Sequence, residues 1–135
     1  MNGYTFLDAS FWIAYRDERQ DLHEQAKRVL AGMFRRHTKF VTTLPVLCET
    51  YAHFSRNVRK KRVIIEDFEN NLLVRIEAIS PADQQQALEL LRGQPDKSYS
   101  LCDAISFVIM RRLGLKRVLS FDRHFRQFGE FEIIP

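Results

Sequence analysis

The chain has 135 residues, 45% of them hydrophobic and 28% charged, with a net charge of +4, which is typical of one globular domain (residues 1–135) with its own core. The longest uncharged apolar run, residues 104–110, is far shorter than the roughly 20 residues of a membrane span, and the N-terminus lacks the basic region and apolar core of a signal peptide. We therefore expect a cytoplasmic protein without a membrane partner, in which Cys48 and Cys102, which fit no metal-ligand spacing, are reduced thiols.

Short apolar segments alternate along the chain with longer segments of helical spacing. The predicted strands lie at residues 4–8, 39–43, within 72–79, at 116–121 and at 131–134. The predicted helices lie at residues 9–17, 21–37, 46–61, 62–70, 80–93 and 100–114, with a short turn or helix at 122–129.

Several helix ends carry recognisable signals. Pro45 stands in the first turn of the third helix, where a proline is tolerated. The apolar stripe of that helix is predicted to contain Leu47, Tyr51, Phe54 and Val58. Strands that alternate with helices of this length favour an α/β fold with a mainly parallel sheet of four or five strands, covered by helices on both faces.

The proposed fold brings four acidic residues to one edge of the sheet. Asp8 ends the first strand and Asp122 follows the fourth, while Asp103 lies in the first turn of its helix. Glu49 is about four residues into its helix, or roughly 6 Å along the axis. In such sheets ligands bind beyond the carboxyl ends of the strands, so all four carboxylates can point into one crevice.

Each acid also has a structural interpretation. Asp8 and Asp122 could cap the helices that follow them, and Asp103 completes a capping box with Ser100. Glu49 could pair with His53 or Arg56 on its own helix. These alternatives stay open, although a capping carboxylate still has a second oxygen for another ligand.

Four converging carboxylates would repel one another and raise their pKa values unless a divalent cation joined them. Oxygen ligands without a Cys/His cluster favour Mg²⁺ or Mn²⁺ over Zn²⁺. Basic runs at residues 56–62 and 111–117, together with Arg123 and Arg126, favour a phosphate-bearing partner. Of these side chains, our candidates for substrate binding are Arg111, Arg112, Arg123 and Arg126. An acidic metal site beside basic patches fits metal-assisted phosphodiester hydrolysis.

Four stretches of the sequence resemble the PIN-domain nucleases, and most closely the VapC-type toxins of toxin–antitoxin pairs: FLDASFWIA, LPVLCETYAHF, SYSLCDAISFVIMRRLGLKRVLSFDRHF and FGEFEIIP. The resemblance covers nearly the whole chain. It implies a three-layer α/β/α fold and an Mg²⁺- or Mn²⁺-dependent endoribonuclease with Asp8, Glu49, Asp103 and Asp122 around the metal. Asp8 and Asp103, followed by Asp122, would be direct metal ligands. Glu49 would bind a second ion or position water, and Ser10 would hydrogen-bond within the site.

The resemblance also implies an RNA substrate, a homodimer and a small antitoxin whose tail fills the acidic groove. Other functions stay open. The protein could be a housekeeping RNA-processing nuclease, or a basic RNA-binding module whose acids only cap helices. A phosphatase would need a second acid two positions after Asp8, where this chain has Ser10, and a receiver domain would need an aspartate at the end of a middle strand. We assign the four histidines to surface or structural roles (His23, His37, His53 and His124).

Overall fold

Five parallel strands form a single sheet in the computed structural model, which describes residues 3–135. The strands are β1 (Tyr4–Leu7), β2 (Lys39–Thr42), β3 (Val74–Ile76), β4 (Arg117–Leu119) and β5 (Glu132–Ile134). The helices are α1 (Ala9–Arg16), α2 (His23–Arg35), α3 (Leu44–His53), α4 (Val58–Asn70), α5 (Pro81–Gly93), α6 (Leu101–Leu113) and α7 (Arg123–Phe128). The predicted parallel α/β fold is confirmed, with five strands.

The strand order is β3-β2-β1-β4-β5. The chain moves outward from β1 to β3 and then crosses to β4 and β5 on the other side, so the order reverses between β1 and β4. Right-handed crossovers place α1 to α4 on one face and α5 to α7 on the other. Phe6 of β1 pairs with Val41 of β2 and with Val118 of β4, which fixes the register at the centre of the sheet.

Two clusters of buried side chains hold the layers together. In the larger cluster, Phe107 of α6 is fully buried, stacks on Phe128 and meets the ring of Phe125 edge-on. In the smaller cluster, Phe11 of α1 and Phe40 of β2 pack against α2. Among residues 3–135, no helix combines the length and hydrophobicity that crossing a membrane requires.

The predicted helix at residues 46–61 is wrong in one respect, because it is broken between α3 and α4. Asn57 has an extended backbone and its side chain accepts a hydrogen bond from the Lys60 N–H at 3.0 Å, so it caps a new helix. Of the predicted stripe, Phe54 is buried at the end of α3, whereas Val58 is 63% exposed.

Helices α5 and α6 run in opposite directions. Arg112 in the last turn of α6 donates to Asp83 in the first turn of α5, at 2.9 Å between Nε and Oδ1. Because α6 ends shortly before β4 begins, its C-terminus lies at the amino edge of the sheet and its first turn lies at the carboxyl edge. This polarity places Asp103 beside the ends of β1 and β4.

Candidate active site

Asp103 lies in the first turn of α6 and completes a capping box with Ser100. Its backbone N–H donates to Ser100 Oγ, and the Ser100 N–H donates to Asp103 Oδ2, both at 3.0 Å. Residues 103–110 of the helix are all buried, which anchors the carboxylate on a rigid support. The cap uses Oδ2 only, and Oδ1 has no hydrogen-bond partner among the described residues.

Asp8 directly follows β1 and caps α1. Its Oδ2 accepts hydrogen bonds from Ser10 Oγ at 2.6 Å and from Ser120 Oγ at 2.9 Å, as well as from the Ser10 N–H at 3.3 Å. Ser10 Oγ also accepts the Phe121 N–H at 3.0 Å. Within residues 3–135, Oδ1 of Asp8 carries no hydrogen bond. Both serine hydroxyls therefore hold the carboxylate by one oxygen and leave the other open.

Burial raises the pKa of Asp8 to about 6, and the negative charges of Asp122 and Asp103 add to this rise. The hydrogen bonds from Ser10 and Ser120 act in the opposite direction but do not outweigh the burial. At neutral pH the carboxylate is thus ionised at an energetic cost that a bound cation would relieve.

Asp122 caps α7 and is tied to Asp8 through Ser120. Its Oδ1 accepts the His124 N–H at 2.9 Å, and its own N–H donates to Ser120 Oγ at 3.0 Å. Ser120 lies just after β4 and so bridges the ends of the two strands at which the strand order reverses. As in the other two aspartates, the second oxygen has no hydrogen-bond partner in the described part of the chain.

The three open oxygens are not sealed inside the protein, since none is among the enclosed polar atoms that lack a partner. Asp83 gives a contrast, because it has the same capping box with Ser80. There Arg112 donates to both carboxylate oxygens, at 2.9 Å and 3.0 Å. The carboxylate of Asp83 is therefore neutralised by an arginine at one edge of the sheet. The carboxylate of Asp103, in the same local motif at the other edge, keeps one open oxygen.

His124, which we assigned to a surface or structural role, lies among the acids. Its Nδ1 is 2.7 Å from Asp103 Oδ2 and 3.4 Å from Asp122 Oδ1, and its Nε2 is 3.0 Å from Ser98 Oγ. One ligand atom from each of Asp103, Asp122 and His124 lies within 4.8 Å of the others.

Glu49, on α3, borders the same group. Burial raises its pKa, the charges of Asp103 and Asp122 raise it further, and a hydrogen bond from the Cys102 thiol lowers it. Burial also raises the pKa of Cys102, followed in effect by the charge of Glu49, so this thiol stays protonated. Glu49 makes neither of its predicted pairs among the described residues, since His53 pairs with Asp17 and Arg56 forms no ion pair with a described residue.

The structure separates the four candidate arginines. Arg111 pairs with Glu130, at 2.8 Å between Nε and Oε2, and Arg112 pairs with Asp83 and Glu77. Both lie in the last turn of α6, about 12 Å along the helix axis from Asp103, so they are not brought to the acids. By contrast, α7 begins directly after Asp122, and its exposed Arg123 and Arg126 form no ion pair with any described residue.

The residues present fit a divalent cation. Asp8 and Glu49 both have raised pKa values, and in both cases the neighbouring carboxylates contribute to the rise. Asp8, Asp103 and Asp122 each offer an oxygen without a protein partner. Oxygen donors of this kind suit Mg²⁺ and Mn²⁺.

We predicted most residues of this site from the sequence but did not predict two of them, Ser120 and His124. Ser120 lies two positions before Asp122, and His124 lies two positions after it, so both belong to one short segment. The available signal was the position of His124 in the turn after Asp122. A polar side chain in the first turn after a capping acid points back towards the cap.

Comparison with known proteins gives the class. A model of the PIN domain family matches residues 5–130 of this chain. The 23S rRNA-specific endonuclease VapC20 of Mycobacterium tuberculosis is 30% identical over 131 residues, which cover 96% of this chain and 98% of VapC20. The chain therefore belongs to the PIN domain family, whose members are nucleases.

Within that family the chain is of the VapC type. The crystal structure of VapC20, described as a toxin that cleaves the sarcin–ricin loop, matches with a TM-score of 0.87 over 97% of this chain and 99% of that one. VapBC2 from Rickettsia felis, at 11% identity, a TM-score of 0.69 and 97% coverage of both chains, shares the fold. So does FitAcB from Neisseria gonorrhoeae, at 16% identity, a TM-score of 0.66 and 97% and 96% coverage.

Proposed function

We propose that this protein is an Mg²⁺- or Mn²⁺-dependent endoribonuclease that hydrolyses RNA phosphodiester bonds as the toxin of a type II toxin–antitoxin system. The observation that carries the proposal is the set of three aspartates, each held by one oxygen and open at the other, at the point where the strand order reverses. The similarity to VapC20 over nearly the full length of both chains supports it.

In this proposal Asp8, Asp103 and Asp122 hold the cation through their open oxygens. When bound, the cation would supply positive charge against the scissile phosphate and lower the pKa of the attacking water. Ser10 and Ser120 fix the orientation of Asp8, because both hydroxyls bond the same oxygen. Restricting the rotation of a ligand in this way reduces the entropy lost when the cation binds.

His124 and Glu49 complete the site. We assign His124 the role of donating its Nδ1–H to Asp103, since a distance of 2.7 Å is that of a charge-assisted hydrogen bond. Such partners orient metal ligands without replacing them. Glu49 positions the attacking water or binds a second ion, and Arg123 and Arg126 of α7 contact phosphates of the RNA.

The direct test is incubation of an RNA that contains the sarcin–ricin loop, the target named for VapC20. We expect cleavage with Mn²⁺ or Mg²⁺, none with EDTA, and none with Asp8→Asn or Asp103→Asn. Equal cleavage in all these samples would show a contaminating nuclease and would contradict the proposal. RNA binding that persists without any product, at every metal concentration, would favour a non-enzymatic RNA-binding module instead.

The biological role needs a separate test. As a toxin, the protein should be cytoplasmic and homodimeric, with one nuclease domain over residues 1–135, and its coding sequence should lie beside a short antitoxin reading frame. We expect the product of that frame to form a complex with the protein and to stop cleavage. An active nuclease with no such neighbour would indicate housekeeping RNA processing.

A further inference from the structure

A small pocket at the junction of α3 and α4 has no role in the site described above. It has a volume of about 160 Å³, and we call it the elbow pocket. Its lining consists of Arg19, His53, Phe54, Arg56 and Asn57, and the positive charge of Arg56 is not balanced by an ion pair with any described residue. A pocket of this charge is suited to an anion.

A buried carboxylate holds two of these side chains in place. Asp17, which ends α1 and is 3% exposed, accepts from Arg19 Nε at 3.1 Å and Nη2 at 3.2 Å. It also lies 2.9 Å from His53 Nε2. Asp17 thus restrains Arg19 and His53 side by side, and its hydrogen bonds with Arg19 hold its own pKa well below the usual range.

Two other lining residues, Arg56 and Asn57, offer donors without protein partners among the described residues. Arg56 is exposed and makes no ion pair with any described residue. Asn57 uses its Oδ1 to cap α4, which leaves its side-chain amide N–H groups free of partners within residues 3–135. Since a guanidinium and an amide both donate hydrogen bonds, these two side chains suit the oxygens of a phosphate group.

The position of the pocket relates it to the acids. His53 lies four residues after Glu49 on α3, so the two side chains share a helix face and are about 6 Å apart along the axis. A polyanionic strand whose reacting bond lies at the carboxylates would reach this pocket with a neighbouring part of its backbone. Measured along α1 from Asp8 to Asp17, the acids and the pocket are about 13 Å apart, which an extended polyanionic strand can span.

We propose that the elbow pocket binds a backbone phosphate of the RNA on one side of the cleaved bond, with Arg56 as the principal contact. The inference rests on the proposed nuclease function, because it assigns part of the substrate to this surface. It predicts that the pocket sets substrate affinity and not the chemical step.

Arg56→Gln is the cleanest test, since Arg56 is exposed and its loss breaks no ion pair with a described residue. The substitution should be made in the Asp8→Asn protein, which we expect not to cleave RNA. Binding of a fluorescein-labelled sarcin–ricin loop RNA should then be measured by fluorescence anisotropy. We expect binding about tenfold weaker, as for the loss of one charged hydrogen-bonding group. The slope of log affinity against log salt should fall by about 0.7, the value for one single-strand phosphate contact.

Arg35→Gln is the matched control, since it removes the same charge from an exposed arginine at the end of α2, which precedes β2 and so lies at the amino edge of the sheet. It should leave the affinity and the salt slope unchanged. Arg56→Lys should restore the salt slope but only part of the affinity, because lysine cannot form a bidentate contact. An unchanged affinity in Arg56→Gln, or an equal loss in Arg35→Gln, would overturn the proposal.

Cleavage assays with intact Asp8 separate this inference from the nuclease function. For Arg56→Gln we expect a higher KM at unchanged kcat. Cleavage with an unchanged KM would reject the pocket and keep the nuclease. Binding that depends on Arg56 in a protein that cleaves no RNA would keep the pocket and reject the nuclease function.

Discussion

His124 Nδ1 lies 2.7 Å from Oδ2 of Asp103, although the two residues belong to different helices and are separated by a strand. Asp103 already uses Oδ2 to cap α6, so the imidazole adds a second restraint to the same oxygen. The result is a carboxylate that is held firmly on one side and available on the other.

The first prediction concerns this pair. His124→Ala should weaken Mn²⁺ binding about 10- to 100-fold, the usual effect of removing a partner that orients a metal ligand. Because we assign the imidazole to Asp103 and not to the metal, spin-echo spectra of bound Mn²⁺ should show no directly coordinated nitrogen. The matched control is His23→Ala, since His23 bonds the Ala14 carbonyl at 2.8 Å and should leave Mn²⁺ affinity unchanged. A nitrogen coupling that disappears with His124 would show that it is a ligand.

The second prediction concerns pH and the metal-free protein. Asp8 has a pKa of about 6 in the folded protein and 3.8 as its ordinary value. The folded state therefore binds more protons than the unfolded state between these values, and stability falls as pH rises through this range. This difference in pKa lowers the free energy of unfolding by about 3 kcal/mol at pH 7.

Asp8→Asn should thus raise the stability of the EDTA-treated protein at pH 7, and the gain should disappear near pH 4. Adding Mn²⁺ should make the wild-type protein the more stable of the two, since only it has the Asp8 carboxylate as a ligand for the cation. Thermal unfolding at both pH values, with and without metal, measures each effect. A variant that is less stable than the wild type at pH 7 in EDTA would contradict this prediction.

The third prediction compares the two capping boxes. Asp83→Asn should lower the free energy of unfolding by about 1–2 kcal/mol, because Arg112 loses an ionised partner that is only partly screened by solvent. The same variant should cleave RNA with an unchanged kcat, measured well below its Tm. Asp103→Asn should show the reverse pattern, with a smaller loss of stability, because removing its charge relieves the repulsion from Asp8, and a fall in kcat of more than about 100-fold. Equal effects of both variants on kcat would mean that Asp103 acts only as a cap.

The fourth prediction concerns the contact between α1 and α4. Asp67 accepts hydrogen bonds from Trp12 Nε1 at 2.9 Å and from Arg16 Nε at 2.8 Å. Asp67→Ala leaves the indole N–H buried without this partner and should cost about 2–3 kcal/mol. Urea unfolding followed by the fluorescence of Trp12, the one tryptophan of the chain, measures this cost. The neighbouring exposed Glu66→Ala should change stability far less.

The sequence by itself determined the alternation of strands and helices, the start of α6 at its capping box, and the order of the four acids. These features depend on residues close together in the chain, where hydrogen-bonding and periodicity rules apply. The break at Asn57 was missed because the apolar spacing continues across it, while the backbone follows the cap.

Only the tertiary structure decided which acids form a site. Asp83 and Asp103 have the same local motif, but α5 and α6 run in opposite directions, so one carboxylate meets Arg112 and the other meets His124. Likewise Ser120 reaches Asp8 because β1 and β4 are neighbours in the sheet. Such contacts join segments that are distant in the chain, and their charge balance depends on where the crossovers place each helix end.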